Sequence, residues 1–310
     1  MKRYLALIAT ALVATAAAAA GAADNTTTAY SKQVPVGATD RVNINNVAGS
    51  LNITAWDRKE VDIQGELGPG VDRVEIKQGE GGVDIRVILK DDPWNNNSWK
   101  NVSWKRSEAD LRIRVPAGVR LEASTVSASL TASGLRGKTR LKSVSGDVRS
   151  DVVAPDLEAK SVSGDVELTG SGAASRLRAN SVSGDVTLNK VAGDVEAKSV
   201  SGDVEIQLQA AEDVEVASVS GDVAVAGGLA NQGELEAESV SGRVRITAQA
   251  PGGYHYELKS FSGRIKSCLS GGQVEDSKNG RGGSVSGTLG QGSATLRVKS
   301  HSGNVELCDR

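Results

Sequence analysis

Apolar and polar residues alternate along most of this chain. Val42-Asn43-Ile44, Leu51-Asn52-Ile53, Val61-Asp62-Ile63, Val83-Asp84-Ile85-Arg86-Val87 and Leu111-Arg112-Ile113-Arg114-Val115 all step with period two. That period predicts half-buried β-strands, since successive side chains point to opposite faces. Gly68-Pro69-Gly70, Gly79 to Gly82 and Pro116-Ala117-Gly118 cut the runs into short strands.

From Leu121 onward the alternation acquires a second, longer period. The hexapeptide Ser-Val-Ser-Gly-Asp-Val begins at Ser143, Ser161, Ser181, Ser199 and Ser218. Altered copies begin at Ser239, Ser260 and Ser300, and Thr125 to Leu130 is a degraded first copy. Starts from Thr125 to Ser260 are separated by 18, 18, 20, 18, 19, 21 and 21 residues. A repeat of that length predicts an all-β fold, a β-solenoid (β-helix) of short stacked coils of about 18–21 residues. The extended consensus is Leu-x-Ala-x-Ser-Val-Ser-Gly-Asp-Val-x-Leu, so each coil should hold two short strands meeting at Ser-Gly-Asp. Glycine is expected there for the positive φ of a tight corner. A second, variable corner falls at Gly137, Pro155, Gly172, Gly193, Gly228 and Gly233. Val47 to Ile53 already resembles the repeat, so the rhythm extends into the region before it. The expected organisation is a leader over 1–23, an N-terminal β region or cap over 24–120, and the repeats over 121–310.

Composition fits a thin interior. Aromatic residues are only 3% of the chain, with a single Phe. The core must therefore be filled by Val, Ala, Leu and Ile between closely spaced strands. Lys+Arg 36 against Asp+Glu 38 gives no basic excess, which argues against nucleic acid as a partner. At the N-terminus, Lys2 and Arg3 precede an apolar run from Leu5 to Val13, and Ala20 to Ala23 offers small-residue cleavage sites. This is an export signal. No cysteine stands near the cleavage site, so a lipoprotein is not expected. No later stretch is apolar enough for a transmembrane helix. The expected location is the periplasm or the cell surface.

The last period is irregular. Ser260 and Ser300 are 40 residues apart, and the Gly-rich segment 271–292 between them holds a further near-match at Ser284 to Leu289. It reads as an irregular coil or as an insertion. Cys268 and Cys308 hold the same place in their copies. If those coils are neighbours, the two Cα atoms lie about 5 Å apart, within disulfide range. If a coil intervenes, the gap is roughly 10 Å and no bond forms. A disulfide clamping the C-terminal end is the expectation.

Two features are candidates for binding. Stacking would align Asp147, Asp165, Asp185, Asp203 and Asp222 into a carboxylate ladder, whose repulsion a divalent cation such as calcium would relieve. The competing reading makes them solvated turn formers near Lys142, Lys160 and Lys198, and the sequence favours it, because a straight ladder does not converge on one ion. No cofactor is otherwise implied. The second feature is the polar stretch Asp91 to Ser107, which carries Trp94, Trp99 and Trp104. Those rings suit stacking on a polysaccharide or a protein contact. Alternatively they fold back and plug the end of the stack. His255 and His301 lie within the repeat pattern and assemble no nucleophile–base logic, so no enzyme is expected.

Gly49-Ser50-Leu51-Asn52-Ile53-Thr54-Ala55-Trp56, with Asp110 to Gly118 leading into the hexapeptide array, resembles the bacterial β-strand-repeat "putative adhesin" family, domain of unknown function 4097. The resemblance covers nearly all of the chain beyond the leader. It implies a cell-envelope location and an adhesin-like or scaffolding role, with an envelope polysaccharide or protein as partner. It implies no catalytic residues.

Overall fold

The fold comes from a computed structural model that describes residues 26–90, 107–171, 173–269 and 282–309. The expected leader, Trp94, Trp99 and Trp104, and residues 270–281 of the Gly-rich segment lie outside the described residues. Those described are all β and joined into one sheet. No helix among them is long and apolar enough to cross a membrane.

Each hexapeptide sits between two strands, and each strand pairs in parallel with its equivalent one repeat away. Asp156–Lys160 lies between Thr139–Ser143 on one side and Ala174–Asn180 on the other. Val166–Gly170 lies between Val148–Val152 and Val186–Ser199. Register is kept residue for residue, Leu157 against Leu177 and Ala159 against Ala179. With a period of two, a one-residue slip would turn every inward Leu and Ala outward. Leu141, Leu157, Leu177, Leu235 and Leu296 are all essentially inaccessible, as are Ala159, Ala179, Ala197 and Ala237. Large and small residues share a narrow interior, each buried leucine contributing about 1.5–3 kcal/mol. Outward positions carry opposite charges one repeat apart, as in Arg140–Glu158 at 3.3 Å and Arg149–Glu167 at 3.2 Å. Such exposed pairs are worth about 0.2–1 kcal/mol each, so they fix register more than they stabilise.

The variable corner is a bend in several repeats. Val186–Ser199, Val204–Ser218 and Val223–Ser239 run through it as continuous strands with local register shifts. Lys190 and Gln232 take positive φ there, as do Gly193 and Gly227.

Spatial order departs from chain order at both ends. Arg41–Trp56 lies parallel and in register beside Arg120–Ser133, so the sheet runs on through residue 120 without a break. Gly82–Leu89 and Glu108–Pro116 pair with the two halves of Arg41–Trp56 on its other side. The later segment is therefore the outer one. Its edges are covered by antiparallel strands, Val71–Gly79 on one half and Glu60–Leu67 then Thr28–Pro35 on the other. At the C-terminus, Ala294–Ser300 and Val305–Cys308 insert between the Ser239 repeat and the Ser260 repeat. Gly283–Gly290, the near-match segment, runs antiparallel to Gly253–Ser260 and so is not another parallel repeat. Insertion makes Cys268 and Cys308 register partners, with Cα atoms 4.7 Å apart and a disulfide between them.

Candidate functional site: an exposed valine ridge

The hexapeptide corner is built from three columns of backbone and side chain. Its first serine is buried in every copy from Ser143 to Ser300. In the Ser199 copy, the Gly202 amide donates to Ser199 Oγ at 2.9 Å, and that hydroxyl donates to the Gly184 carbonyl of the preceding repeat at 3.0 Å. The same pair of bonds recurs at Ser161, Ser181 and Ser218. One hydroxyl thus closes its own turn and joins it to the neighbour.

The motif glycine does not serve the purpose expected of it. None of the motif glycines has positive φ. A Cβ on Gly164, Gly184, Gly202, Gly221 or Gly242 would instead fall less than 3.0 Å from the backbone carbonyl of the glycine one repeat earlier. The residue is needed for close backbone approach, not for a left-handed turn.

The aspartates form the third column. The Asp185 amide donates to Asp165 Oδ1 at 2.9 Å, Asp203 to Asp185 at 2.8 Å and Asp222 to Asp203 at 2.7 Å. Asp165 donates to Asp147 at 3.2 Å, and Arg243 to Asp222 at 2.8 Å. Each carboxylate accepts the next repeat's backbone amide, and sequence reasoning did not anticipate this. Among the described residues, the one group of three or more Asp, Glu, His or Cys side chains with ligand atoms within 4.8 Å of one another is Cys268, Glu306 and Cys308. Its sulfurs are joined to each other.

Above these columns stands the feature the sequence reading missed. The second motif residue points outward. Val144, Val162, Val182, Val200, Val219 and Val240 are each 44–48% exposed, a continuous apolar ridge along one edge. The signal was available in the alternation itself. Counting by twos from Leu157 puts Ala159 and Ser161 inside and Lys160 and Val162 outside. The ridge continues through His301, then Phe261, because the last repeat is inserted before the Ser260 repeat. Phe261 is 75% exposed. Its ring stacks on His301 with centroids 4.8 Å apart and planes 2° from parallel. His255 meets the Thr288 hydroxyl at 2.7 Å instead.

Charged residues flank the ridge on both sides. Lys142, Lys160 and Lys198 precede the motif, and Asp147, Asp165 and Asp203 close it. At the Ser239 repeat both signs invert together, to Glu238 and Arg243. Lys198 bridges Glu196 at 3.1 Å and Glu215 at 2.7 Å, and Lys299 bridges Glu236 and Glu238, each at 2.7 Å. Hydrogen bonds to these glutamates raise the pKa of both lysines. The Lys160 ammonium likewise holds Glu158 below the usual carboxylate range.

The Trp-bearing stretch lies outside the described residues. The strands on either side of it in sequence, Gly82–Leu89 and Glu108–Pro116, pair with the two halves of Arg41–Trp56. Trp56 sits under the Arg114 and Arg58 guanidinium groups at 4.5 and 5.1 Å, and Arg114 also bridges the buried Asp62 at 2.6 Å.

The chain belongs to the Toastrack DUF4097 family, whose model matches residues 39–227 and 199–308. The resemblance read from the Gly49 to Trp56 segment and the hexapeptides thus holds. Solved structures similar to this chain include a "putative adhesin" from Bacteroides fragilis NCTC 9343 (11% identity, 90% of this chain and 97% of that one covered, TM-score 0.37). Another, also called a "putative adhesin", is from Parabacteroides merdae ATCC 43184 (12%, 90% and 95%, TM-score 0.35). A third, from Parabacteroides distasonis ATCC 8503, is described as a "putative lipid binding protein" (12%, 90% and 96%, TM-score 0.32). No curated protein matches the chain.

Proposed function

We propose that this chain is an exported, non-enzymatic cell-envelope protein, a β-solenoid of short stacked coils that works by adhesin-like or scaffolding contact. The observation that carries the reading is the valine ridge. A row of half-exposed valines ending in an exposed Phe261 leaves a long apolar strip uncovered, and soluble chains rarely do so without a partner. The first serine and the aspartate of each motif hold backbone hydrogen bonds. The N-terminal Lys2, Arg3 and Leu5 to Val13 support export to the periplasm or surface, without lipid attachment.

A second reading, a polysaccharide- or cation-binding module, rests on the sequence cluster Trp94, Trp99 and Trp104 and on the Asp147 to Asp222 column. One experiment separates the two. The chain without residues 1–23 is incubated with isolated envelope fractions and envelope polysaccharides, with and without calcium. The contact reading expects binding that Val182→Asp plus Val200→Asp removes, whatever the calcium level. Loss confined to Trp94→Ala plus Trp99→Ala, or to calcium removal, would transfer the function to the module reading.

A further inference from the structure

We infer that the ridge is a homophilic surface, and that its occupant is a second copy of this chain lying parallel, with a two-fold axis along the stack. The inference rests on the reading above that the ridge is the working contact. It comes from the pairing of signs across the ridge.

Every ridge station has one outward residue on each flank, one before the motif and one at its fifth position. A parallel two-fold sets each station against its own counterpart and the leading flank of one copy against the trailing flank of the other. Lys142 then faces the second copy's Asp147, Lys160 its Asp165, and Lys198 its Asp203. At the Ser239 station the order reverses, Glu238 facing Arg243, and the pair is still complementary. A single sign change would have produced a clash there; the two changes together avoid it. Asn180, Ala217 and Lys299 face Asp185, Asp222 and Asn304, and Lys259 facing Arg264 at the end of the ridge is the one like-charged station. End-to-end antiparallel docking fails this test, since it opposes Asp203 to Asp222 and Lys142 to Lys259. Within one chain these lysines do not meet the motif aspartates. They contact Glu122, Glu158, and Glu196 with Glu215. An ammonium bridging two carboxylates already occurs at Lys198 and Lys299, so a further carboxylate from the second copy is readily accepted.

The dimensions agree. Stations repeat at the strand spacing of about 4.8 Å, so two such ridges in step meet valine against valine along about 34 Å. The valines alone cover too little area for a stable pair. An ordinary specific interface buries roughly 800 Å² per partner, more than one column of half-exposed valines offers. The charges are therefore needed to complete the interface and to set its direction.

Sedimentation of the chain lacking residues 1–23 tests this. The expected result is a dimer at about 100 μM that weakens as salt rises. Val182→Asp plus Val200→Asp should leave a monomer with unchanged circular dichroism, because both sites are exposed. Lys142→Glu, Lys160→Glu and Lys198→Glu together should raise Kd by at least about tenfold, and Asp→Asn at 147, 165 and 203, which keeps the amide acceptor, should also weaken the dimer. Direction is read by cross-linking. Val162→Cys and Val219→Cys should each link to themselves, whereas antiparallel docking would link neither. A chain that stays monomeric at about 100 μM, or a dimer indifferent to the Val182/Val200 change, overturns the inference. If the wild type is monomeric but ridge variants still lose envelope binding, only the homophilic partner is wrong. If neither property responds, the contact reading falls as well.

Discussion

The α-carbon of Gly202 sits against the carbonyl of Gly184 so closely that a Cβ on it would come within 3.0 Å of that oxygen. The obstacle is backbone in a parallel ladder, so it cannot move aside as a flexible side chain would. Gly202→Ala should cost about 3 kcal/mol, the upper part of the overpacking range. Gly79→Ala is the control, since Gly79 has open space at its Cβ position and no positive φ. Thermal melts of the two variants check this. Equal melting temperatures would show that the column can part without cost.

The serine beneath the ridge and the one beside it should differ as sharply. Ser199 Oγ accepts from Gly202 and donates to Gly184, out of contact with water. Ser199→Ala strands both backbone groups, at about 1–3 kcal/mol. Ser201 lies two residues on in the same motif but has an exposed side chain, and Ser201→Ala should stay within about 0.5 kcal/mol. Denaturant melts with a common slope would measure the difference, and parity between the variants would remove the serine column from the account.

Much of this was legible in the sequence because a repeat constrains itself. The period, the strand alternation, the inward Leu and Ala and the Cys268–Cys308 alignment all follow from aligning copies. What the sequence concealed depends on distances between neighbouring copies. The glycine looked like a turn former because turns are its commonest use. Its actual role appears only when Gly184 and Gly202 are set one strand apart. Asp185 looked like a solvated turn residue, because its amide partner is 18 residues away in Asp203. The insertion of Ala294–Ser300 ahead of the Ser260 repeat was hidden for another reason. Period and motif are identical whichever order the repeats stack in. The valine ridge was within reach, since alternation alone puts Val162 outside. It was passed over because valine in a β pattern is read as core.

Glu306 should make the C-terminal repeats sensitive to acid. Its carboxylate accepts from Arg245 at 3.1 Å in the repeat on one side and from Lys266 at 3.3 Å in the repeat on the other. The Arg245 hydrogen bond is the main cause that holds its pKa below the usual carboxylate range. A depressed folded value means the stabilisation is present above the unfolded carboxylate pKa of about 4.3 and is lost as pH falls through the folded value. Amide exchange at Ala294–Ser300 should therefore accelerate between about pH 5 and pH 3 relative to the intrinsic rate. Glu306→Gln should flatten that dependence. An unaltered profile in the variant would assign the acid response to other carboxylates.

The disulfide should protect two repeats rather than the whole protein. Among the described residues, the strands of the Ser260 repeat pair with the parallel stack through Ala294–Ser300 and Val305–Cys308, which lie between it and the Ser239 repeat. If that inserted repeat leaves, the outer one loses its neighbour too. Cys268–Cys308 ties the two together across 40 residues of chain, a loop whose closure is worth up to about 4 kcal/mol in the chain-entropy account. In a stack where each repeat contacts only its neighbours, removing that tie acts locally. Cys308→Ser should therefore lower amide protection in Gly253–Ser260 and Ala294–Ser300 by at least about a hundredfold, while Asp156–Lys160 and Val186–Ser199 keep theirs. Hydrogen exchange followed by mass spectrometry resolves these segments. Uniform loss of protection along the chain would mean that the stack unfolds as one cooperative unit and that its C-terminal repeats are not separable from it.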